Sequence, residues 1–398
     1  MPSKHIGILT GGGDVPGLNA AIKSVYLAMQ RRGWTRAGGG DANLTGILRG
    51  WQGAVAMEKD AAGAFSYTLP LTDALIRDVD LTGGTFLHTS RTRPDRMKMK
   101  DLPPRLRERK GELPRAEGKE DVFDVVGEVI RNLQGLGIDC LVAIGGDDTL
   151  GSAYRLQARG FPVIGIPKTM DNDVQGTEYA IGFKTALTRA EDFINRHRTT
   201  LASHDLVGVF RIFGRDAGFT SLGTAMAVSD LRCAIPEHPF DLEVLCRLVE
   251  EDYRRGDART ALVLCSEGAI WKGGKLEEYG PADGYGHRKK MNVGDALAAE
   301  ITKATGLATR AQDITYDLRS GPPDALDKIV ANTFGTLAVD LIAGGRTGQM
   351  LAIQEGRYTH VPLPDPGRGP RKVDVAALYD IAGFRPNLSG LLGRPVFF

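Results

Sequence analysis

Residues 6–14 read Ile-Gly-Ile-Leu-Thr-Gly-Gly-Gly-Asp, an apolar run that ends in a glycine triplet and an aspartate. The run predicts a short buried strand over residues 6–10, and the glycines predict a tight turn directly after it. Pro16 and Gly17 then open a predicted helix through residues 20–30, which carries small and apolar residues on one face. The chain therefore begins as strand, glycine turn and helix.

The same unit recurs farther along the chain. Apolar residues at helical spacing come first, at Val122, Val125, Val126, Val129, Ile130 and Leu133. We then predict a strand over 140–144, a turn over 145–149, a helix over 150–159 and a third strand over 163–166. Strands that alternate with helices in this way predict an α/β fold, in which a parallel sheet has helices on both faces.

A second region repeats the alternation and predicts a second domain, with the boundary near residues 183–190. Its predicted strands are 206–212, 260–265 and 350–354, and its predicted helices are 183–197, 240–254, 293–304 and 324–343. We expect the chain to cross between the domains near residues 318–350. The length of 398 residues agrees with two domains or one large one.

Composition excludes several classes of protein. Fifty basic residues oppose 49 acidic ones, so the net charge of +1 gives no general attraction to nucleic acid or to an anionic membrane. No apolar run approaches the ~18–20 residues of a membrane-spanning helix, and the first apolar run is too short for a signal-peptide core. The four scattered cysteines lack metal-binding spacing and predict buried free thiols in a reducing cytoplasm.

Two stretches are expected at the surface. Residues 91–121 are dense in Arg, Lys and Glu, contain four prolines and have few large apolar side chains. This composition predicts a solvated excursion, in which only the first residue or two are candidates for contact with a phosphate. Residues 366–371 form a second predicted surface loop, rich in Pro, Gly and Arg.

Two glycine turns follow predicted strands, at the edge where open α/β sheets bind ligands. The first matches neither the G-x-G-x-x-G dinucleotide fingerprint nor the G-x-x-x-x-G-K-[ST] phosphate loop, because Pro16 and Leu18 occupy required positions. A structural turn and a phosphate cradle both remain open for it.

In the second turn, adjacent Asp147 and Asp148 repel a phosphate unless a cation lies between them. Asp147 is therefore a candidate Mg²⁺ ligand, and an N-cap is the alternative for either residue.

A third polar loop, Pro-Lys-Thr-Met-Asp-Asn-Asp, occupies residues 167–173. Phosphoryl transfer needs this mixture, since a cation neutralises the transferred group and a carboxylate accepts the proton of the attacking hydroxyl. Asp171 is the candidate base, and Asp173 is a candidate metal ligand or orienting residue. A structural Asx-turn is the alternative for both.

Taken in order, these motifs resemble the 6-phosphofructokinase family. The resemblance rests on residues 8–19, 83–87, 90–91, 145–149, 167–173, 182–186 and 213–215, and it covers roughly residues 6–320. It implies two Rossmann-like three-layer domains with mainly parallel sheets and an active site in the cleft between them. Residues 1–182 with about 318–345 are the implied donor domain, and 183–317 with about 346–398 the implied sugar-phosphate domain.

The resemblance also implies a reaction and its participants. A phosphoryl group passes to the 1-hydroxyl of fructose 6-phosphate with Mg²⁺ as cofactor, in glycolysis or gluconeogenesis. The implied catalytic residues are Asp171 as base, Lys168 and Asp148; the implied donor-phosphate contacts are Gly12, Arg91, Thr149 and Lys168; the implied metal-associated residue is Asp147. The implied sugar-phosphate contacts are Thr169, Asp171, Asp173, Phe213, Gly214, Arg215, Glu267, Arg310, Tyr316 and Arg319.

Two positions bear on the phosphoryl donor. ATP users in the family resemble Gly-Gly-Asp-Gly-Ser and Pro-Gly-Thr-Ile-Asp-Asn-Asp, whereas Asp148 and Lys168 stand at the variable places here. A carboxylate at position 148 would meet the α-phosphate of ATP with bulk and like charge, while pyrophosphate ends before that point. Both positions resemble the pyrophosphate-dependent branch, and an ATP-dependent enzyme with altered residues is the alternative.

Departures from the family pattern bear on the substrate and on whether the chain is catalytic. Leu206 stands where the family commonly has an Arg that reaches a neighbouring subunit's sugar phosphate, and Arg211 or Arg198 are candidate replacements. Without this Arg, a heptulose phosphate is a possible additional substrate. The alternative function is that of a catalytically silent regulatory subunit. A kinase of NAD or lipids fits less well, because the 167–173 loop is foreign to that class. The resemblance implies a homodimer or homotetramer.

Overall fold

The computed structural model describes residues 3–116, 120–255, 257–273 and 292–396, and the backbone of 278–279 and 289–290. The strands are β1 (Ile6–Thr10), β2 (Leu44–Ile47), β3 (Thr68–Pro70), β4 (Met97–Lys98), β5 (Val122–Phe123), β6 (Cys140–Gly145), β7 (Val163–Pro167), β8 (Val207–Ile212), β9 (Leu231–Ala234), β10 (Ala261–Ser266), β11 (Glu278–Tyr279), β12 (Lys289–Lys290), β13 (Thr309–Asp313), β14 (Gln349–Gln354), β15 (Arg357–Pro362), β16 (Tyr379–Asp380) and β17 (Arg385–Pro386). The helices are α1 (Leu18–Arg31), α2 (Gly50–Ala56), α3 (Asp73–Ile76), α4 (Pro104–Glu108), α5 (Val126–Gly135), α6 (Asp147–Ala158), α7 (Phe183–Ser203), α8 (Phe219–Ala227), α9 (Leu242–Arg254), α10 (Val293–Thr305), α11 (Thr315–Arg319), α12 (Ala325–Ala343) and α13 (Val375–Leu378).

The larger sheet has seven strands in the order β15-β14-β7-β6-β1-β2-β3. Its five inner strands run parallel, and β3 and β15 pair antiparallel at the edges. Successive residues of β1 and β6 enter two different cores: Ile8 and Val142 pack on the side of α1, whereas Leu9 and Leu141 pack on the side of α2 and α5. Both faces are therefore covered, which explains why these strands read as continuous apolar runs.

The smaller sheet has four parallel strands in the order β13-β8-β10-β9. The C-terminal segment packs beside it: the backbone N–H of Cys233 donates to the carbonyl of Phe384 at 2.7 Å, and the Tyr379 hydroxyl donates to the carbonyl of Cys233 at 2.6 Å. The predicted α/β fold with two Rossmann-like domains and mainly parallel sheets is confirmed.

One part of the predicted domain division is wrong. The resemblance places residues from about 346 onward in the second domain, but β14 pairs with β7 and extends the seven-stranded sheet, and β15 follows it. The chain thus passes from the larger to the smaller sheet after β7, returns before β14, and passes again after β15. A single strand's pattern shows that it is buried but does not show which sheet it joins.

The charged segment 91–121 is more than a solvated excursion. Met97, Leu102, Leu106 and Leu113 are buried in the core that α2 and α5 share. Sparse apolar residues fix the segment to this core, whereas most of its described charged side chains remain at least partly exposed. Asp95 differs, because it is buried beside Arg93 and Arg155.

Helix boundaries also differ from the pattern. Val122 belongs to β5 and Val125 precedes α5, whereas α6 begins earlier than predicted, at Asp147.

All four cysteines are buried and free, as expected. Throughout the described part of the chain, every helix is too short or too polar to cross a bilayer.

Candidate active site

A cavity of about 520 Å³ lies where the carboxyl ends of β1, β6 and β7 face the loops that follow β8 and β10. Parallel strands bring these ends to one edge, so segments distant in the sequence meet there. The predicted site residues that line the cavity are Gly12, Arg91, Asp147, Asp148, Thr149, Lys168, Thr169, Asp171, Asp173, Phe213, Arg215, Glu267 and Arg319. We call this cavity the cleft.

Thr149 packs between the two glycine turns. A methyl group at Gly11 would lie 2.4 Å from its Oγ1, and one at Gly145 would lie 2.3 Å from its Cβ. Glycine is therefore required at both positions for β1 and β6 to approach each other around this side chain. The Thr149 hydroxyl is buried and lacks a hydrogen-bond partner among the described residues. A buried hydroxyl of this kind is suited to a ligand oxygen.

Lys168 connects the three loops of the larger sheet. Its backbone N–H donates to the carbonyl of Gly145 at 3.0 Å, and its Nζ donates to the carbonyl of Gly13 at 2.6 Å. Only 4% of the residue is exposed. Burial lowers the pKa of Lys168 to about 8, and the positive charge of Arg319 adds to the effect. The ammonium group is thus poorly solvated, and an anion that binds beside it would stabilise its positive charge.

The loop that holds Asp171 is shaped by its neighbour Asn172. Asn172 adopts a left-handed backbone conformation with φ of 52°, which Asn tolerates better than most residues. Its buried amide accepts from the N–H of Ala180 at 2.9 Å and donates to the carbonyl of Glu178 at 2.8 Å. The backbone N–H of Asp171 donates to the Thr169 hydroxyl at 3.1 Å. These bonds hold the loop without using the Asp171 carboxylate.

The carboxylates of the cleft influence one another. Burial raises the pKa of Asp171 well above its usual range, and the negative charges of Asp173 and Glu267 raise it further. Burial likewise raises the pKa of Asp173 to about 6. For Asp147, burial and then the charges of Asp173, Asp148 and Asp216 raise the pKa to about 8. A cation that enters the cleft would stabilise the ionised form of each of these carboxylates.

The donor set fits a magnesium ion that is shared with a phosphate ligand. Within the described residues, no three His, Cys, Asp or Glu side chains are close enough to form a metal site alone. Mg²⁺ usually takes only one or two carboxylates and completes its coordination with water and substrate phosphates. Burial and then the charges of Asp173, Asp148 and Asp216 raise the pKa of Asp147, so a cation bound beside this carboxylate would stabilise its ionised form.

The opposite wall comes from the smaller sheet. Gly214 follows β8 with φ of 120°, and the N–H of Glu267 donates to the carbonyl of Ile212 at 2.9 Å, which aligns the ends of β8 and β10. The Arg215 Nε lies 3.5 Å from the Glu267 carboxylate. The Arg319 guanidinium lies 5.0 Å from the centre of the Phe213 ring. A carboxylate, two guanidinium groups and an aromatic ring can together bind a phosphorylated sugar.

Three predicted sugar contacts do not line the cleft of this single chain. Gly214 contributes only to the local turn, whereas Arg310 is exposed on β13 and Tyr316 is 75% exposed. The candidate replacements for the family Arg are also elsewhere. Arg211 binds the carboxylates of Asp313 and Glu267, and Arg198 donates to the carbonyl of Ser229.

Sequence reasoning missed several residues of the cleft. Arg93 and Arg96 line it beside Arg91, although the prediction limited phosphate contact to the first residue or two of that segment. Arg155 joins them from α6. The Arg93 guanidinium lies 3.0 Å from Asp95 and 3.3 Å from Asp148. The dense arginine spacing after position 91 was the available signal.

Residues 366–371 are a surface loop, as predicted, with Gly367, Arg368 and Gly369 exposed, and part of this loop also forms the rim of the cleft. Pro366 packs against α6, where a methyl group at Gly151 would lie 3.0 Å from it. The backbone N–H of Arg371 donates to the carbonyl of Asp173 at 2.6 Å, and its guanidinium donates to the carbonyl of Asn172 at 2.8 Å. The segment thus helps to hold the loop that carries Asp171.

Carboxylates, a buried ammonium group and glycine turns at strand ends are what an α/β phosphotransferase requires. The sequence matches the phosphofructokinase family over residues 5–342, and the chain belongs to that family. It is 37% identical over 362 residues to a pyrophosphate–fructose 6-phosphate 1-phosphotransferase of Thermoproteus tenax, covering 90% of this chain and 92% of that protein. It is 32% identical over 380 residues to an ATP-dependent 6-phosphofructokinase of Mycobacterium tuberculosis, covering 96% and 99%. The solved pyrophosphate-dependent phosphofructokinase of Marinobacter aquaeolei shares the fold, with a TM-score of 0.73 and 20% identity over 98% of this chain and 90% of that one.

Proposed function

We propose that the protein transfers a phosphoryl group from pyrophosphate to the 1-hydroxyl of fructose 6-phosphate. The products are fructose 1,6-bisphosphate and phosphate, and we propose that the reaction is reversible. The observation that carries the proposal is the meeting of Lys168, Asp171 and Asp147 in one cleft, with Arg215 and Arg319 on the opposite wall.

Asp171 has the properties of the general base. Its raised pKa makes the carboxylate a stronger proton acceptor, and the charge of Arg215 favours its ionised form. The Asp171 carboxylate accepts the proton of the sugar hydroxyl as the oxygen bonds to phosphorus. Lys168 offsets the negative charge of the transferred group, and a bound Mg²⁺ supplies further charge neutralisation on the phosphates.

The charges of Asp148 and Lys168 support pyrophosphate as the phosphoryl donor. The Asp148 carboxylate lines the cleft just beyond the glycine turn, where it adds bulk and a negative charge that Arg93, 3.3 Å away, offsets in part. Lys168 supplies a buried positive charge close to the glycine turn of β1. This arrangement suits a short inorganic diphosphate and opposes the α-phosphate of a nucleotide.

An ATP-dependent enzyme is the second candidate, because the Mycobacterium tuberculosis relative is named for that donor. One purified preparation, assayed with pyrophosphate and then with ATP at saturating fructose 6-phosphate and Mg²⁺, separates the two. We expect kcat/KM to be higher with pyrophosphate by more than about tenfold. A preference for ATP of that size would reverse the donor assignment. Inactivity with both donors would favour a regulatory subunit.

We also propose that the enzyme acts as a homodimer or homotetramer in the cytoplasm. Arg310 and Tyr316 support an oligomer, since both are exposed outside the cleft although the resemblance to the family implies that they contact the sugar phosphate. Sedimentation with and without fructose 6-phosphate tests this proposal. A monomer that is fully active would contradict it.

A further inference from the structure

A second cavity, of about 600 Å³, adjoins the cleft on the side of residues 89–107. It shares three arginines with the cleft and continues away from the strand ends. Its basic side chains are Arg91, Arg93, Arg96, Lys98, Lys100 and Arg107. Asp101 is the one acidic residue among the described side chains that line it. We call it the basic pocket.

The basic pocket is structured rather than an accidental cluster of surface charges. Lys98 belongs to β4 and pairs with Val122 of β5. The Arg107 guanidinium donates to the carbonyls of Lys100 and Leu102, both at 2.7 Å, and so holds the turn that carries Lys100. Carbonyl groups do not neutralise the charge of Arg107. Among the described residues, neither Lys98 nor Lys100 has an acidic partner within ion-pair distance.

Charge and shape together favour a chain of phosphates over a nucleoside. The described residues that line the basic pocket include no aromatic ring on which a base could stack. Asp147, Asp148, Asp171 and Asp173 line the cleft but not the basic pocket. The charge of Arg93 is offset by its ion pairs with Asp95 and Asp148. An anion that leaves the cleft beside Arg91 therefore meets the positive potential of Lys98, Lys100 and Arg107 farther along the basic pocket.

We propose that the basic pocket extends the donor site and accepts linear inorganic polyphosphate, so that tripolyphosphate also serves as a donor. The inference rests on the proposed function. In this reaction the bond between the terminal phosphorus and its bridging oxygen breaks, and the sugar oxygen bonds to that phosphorus. The hydroxyl proton passes to Asp171, and pyrophosphate leaves with the electron pair of the broken bond. The released pyrophosphate is then itself a donor.

The test compares sodium tripolyphosphate with pyrophosphate on the full-length enzyme and on the double variant Lys98→Ala/Lys100→Ala. Neither lysine lines the cleft, so the pyrophosphate KM should stay unchanged. We expect the tripolyphosphate KM to rise about tenfold, which corresponds to about 1.4 kcal/mol. The control variant Lys110→Ala/Lys303→Ala removes the same charge from exposed positions elsewhere and should change neither KM.

Phosphorus NMR of the early reaction excludes contaminating pyrophosphate as the true donor. The amount of fructose 1,6-bisphosphate formed must exceed the amount of pyrophosphate present at the start, because each contaminating pyrophosphate can phosphorylate only one sugar. Turnover with pyrophosphate but not with tripolyphosphate would overturn the extended donor site and leave the proposed function intact. Inhibition by tripolyphosphate without turnover, or equal KM changes for both donors in a double variant with a normal melting temperature, would overturn it as well. Inactivity with both donors would instead overturn the proposed function.

Discussion

Replacing Asp171 by Asn tests the proposed base directly. Asn is nearly the same size but cannot accept the proton, and general-base help is typically worth ~10²–10⁴-fold, or ~2.7–5.4 kcal/mol of barrier. The loop should keep its shape, because the Asp171 backbone N–H and the Asn172 amide hold it without the carboxylate. We therefore expect kcat to fall at least about a hundredfold.

The same structure predicts what the Asp171→Asn variant should retain. The substitution removes one of several mutually repelling charges, so the melting temperature should stay equal or rise and pyrophosphate should bind at least as tightly. Steady-state kinetics and calorimetry of Mg²⁺-pyrophosphate binding measure both effects. Asp216→Asn is the matched control, since Asp216 also lines the cleft and raises the pKa of Asp171 but has no proposed role in proton transfer. A kcat near normal would refute the role of Asp171, and loss of pyrophosphate binding would make it a metal-site residue.

The charges of the cleft give three more expected outcomes. Asp148→Gly should raise kcat/KM for ATP by about tenfold or more while pyrophosphate remains a donor, and unchanged ATP kinetics would show that Asp148 does not select the donor. Arg319→Ala should raise the fructose 6-phosphate KM far more than the pyrophosphate KM, and equal increases would indicate a general defect instead. Burial raises the folded-state pKa of Asp173 to about 6 and that of Asp147 to about 8. The stability that these protonated side chains contribute is therefore fully present below the unfolded pKa of ~3.9. It is lost as the pH rises through about 6 for Asp173 and about 8 for Asp147. Calorimetry without metal should therefore show a lower melting temperature at ~pH 8.5 than at ~pH 5.5, and Mg²⁺ should raise it most at the higher pH; a metal effect independent of pH would contradict this origin.

The strand ends of the larger sheet could be predicted because their signals are local. Residues 6–14, 145–149 and 167–173 each combine a buried strand with a polar turn, and the rules for parallel sheets bring such turns together. The position of Thr149 between Gly11 and Gly145 follows from that convergence.

Contacts between segments far apart in the sequence could not be predicted in this way. Arg371 binds the carbonyl of Asn172 across 199 residues, and a short Pro/Gly/Arg stretch resembles any surface loop. The pairing of β14 with β7 depends on which sheet has a free edge, a property of the assembled fold. The burial of Leu106 and its neighbours depends on the groove that α2 and α5 provide.

The three crossings of the chain between its two sheets lie beside the residues of the cleft. The 167–173 loop directly precedes the first crossing, Arg319 stands at the second, and residues 364–371 form the third. A rotation of one domain against the other would therefore bend segments that line the cleft. Such a rotation would move the 167–173 loop, and Asp171 with it, without a relay through the interior of either domain.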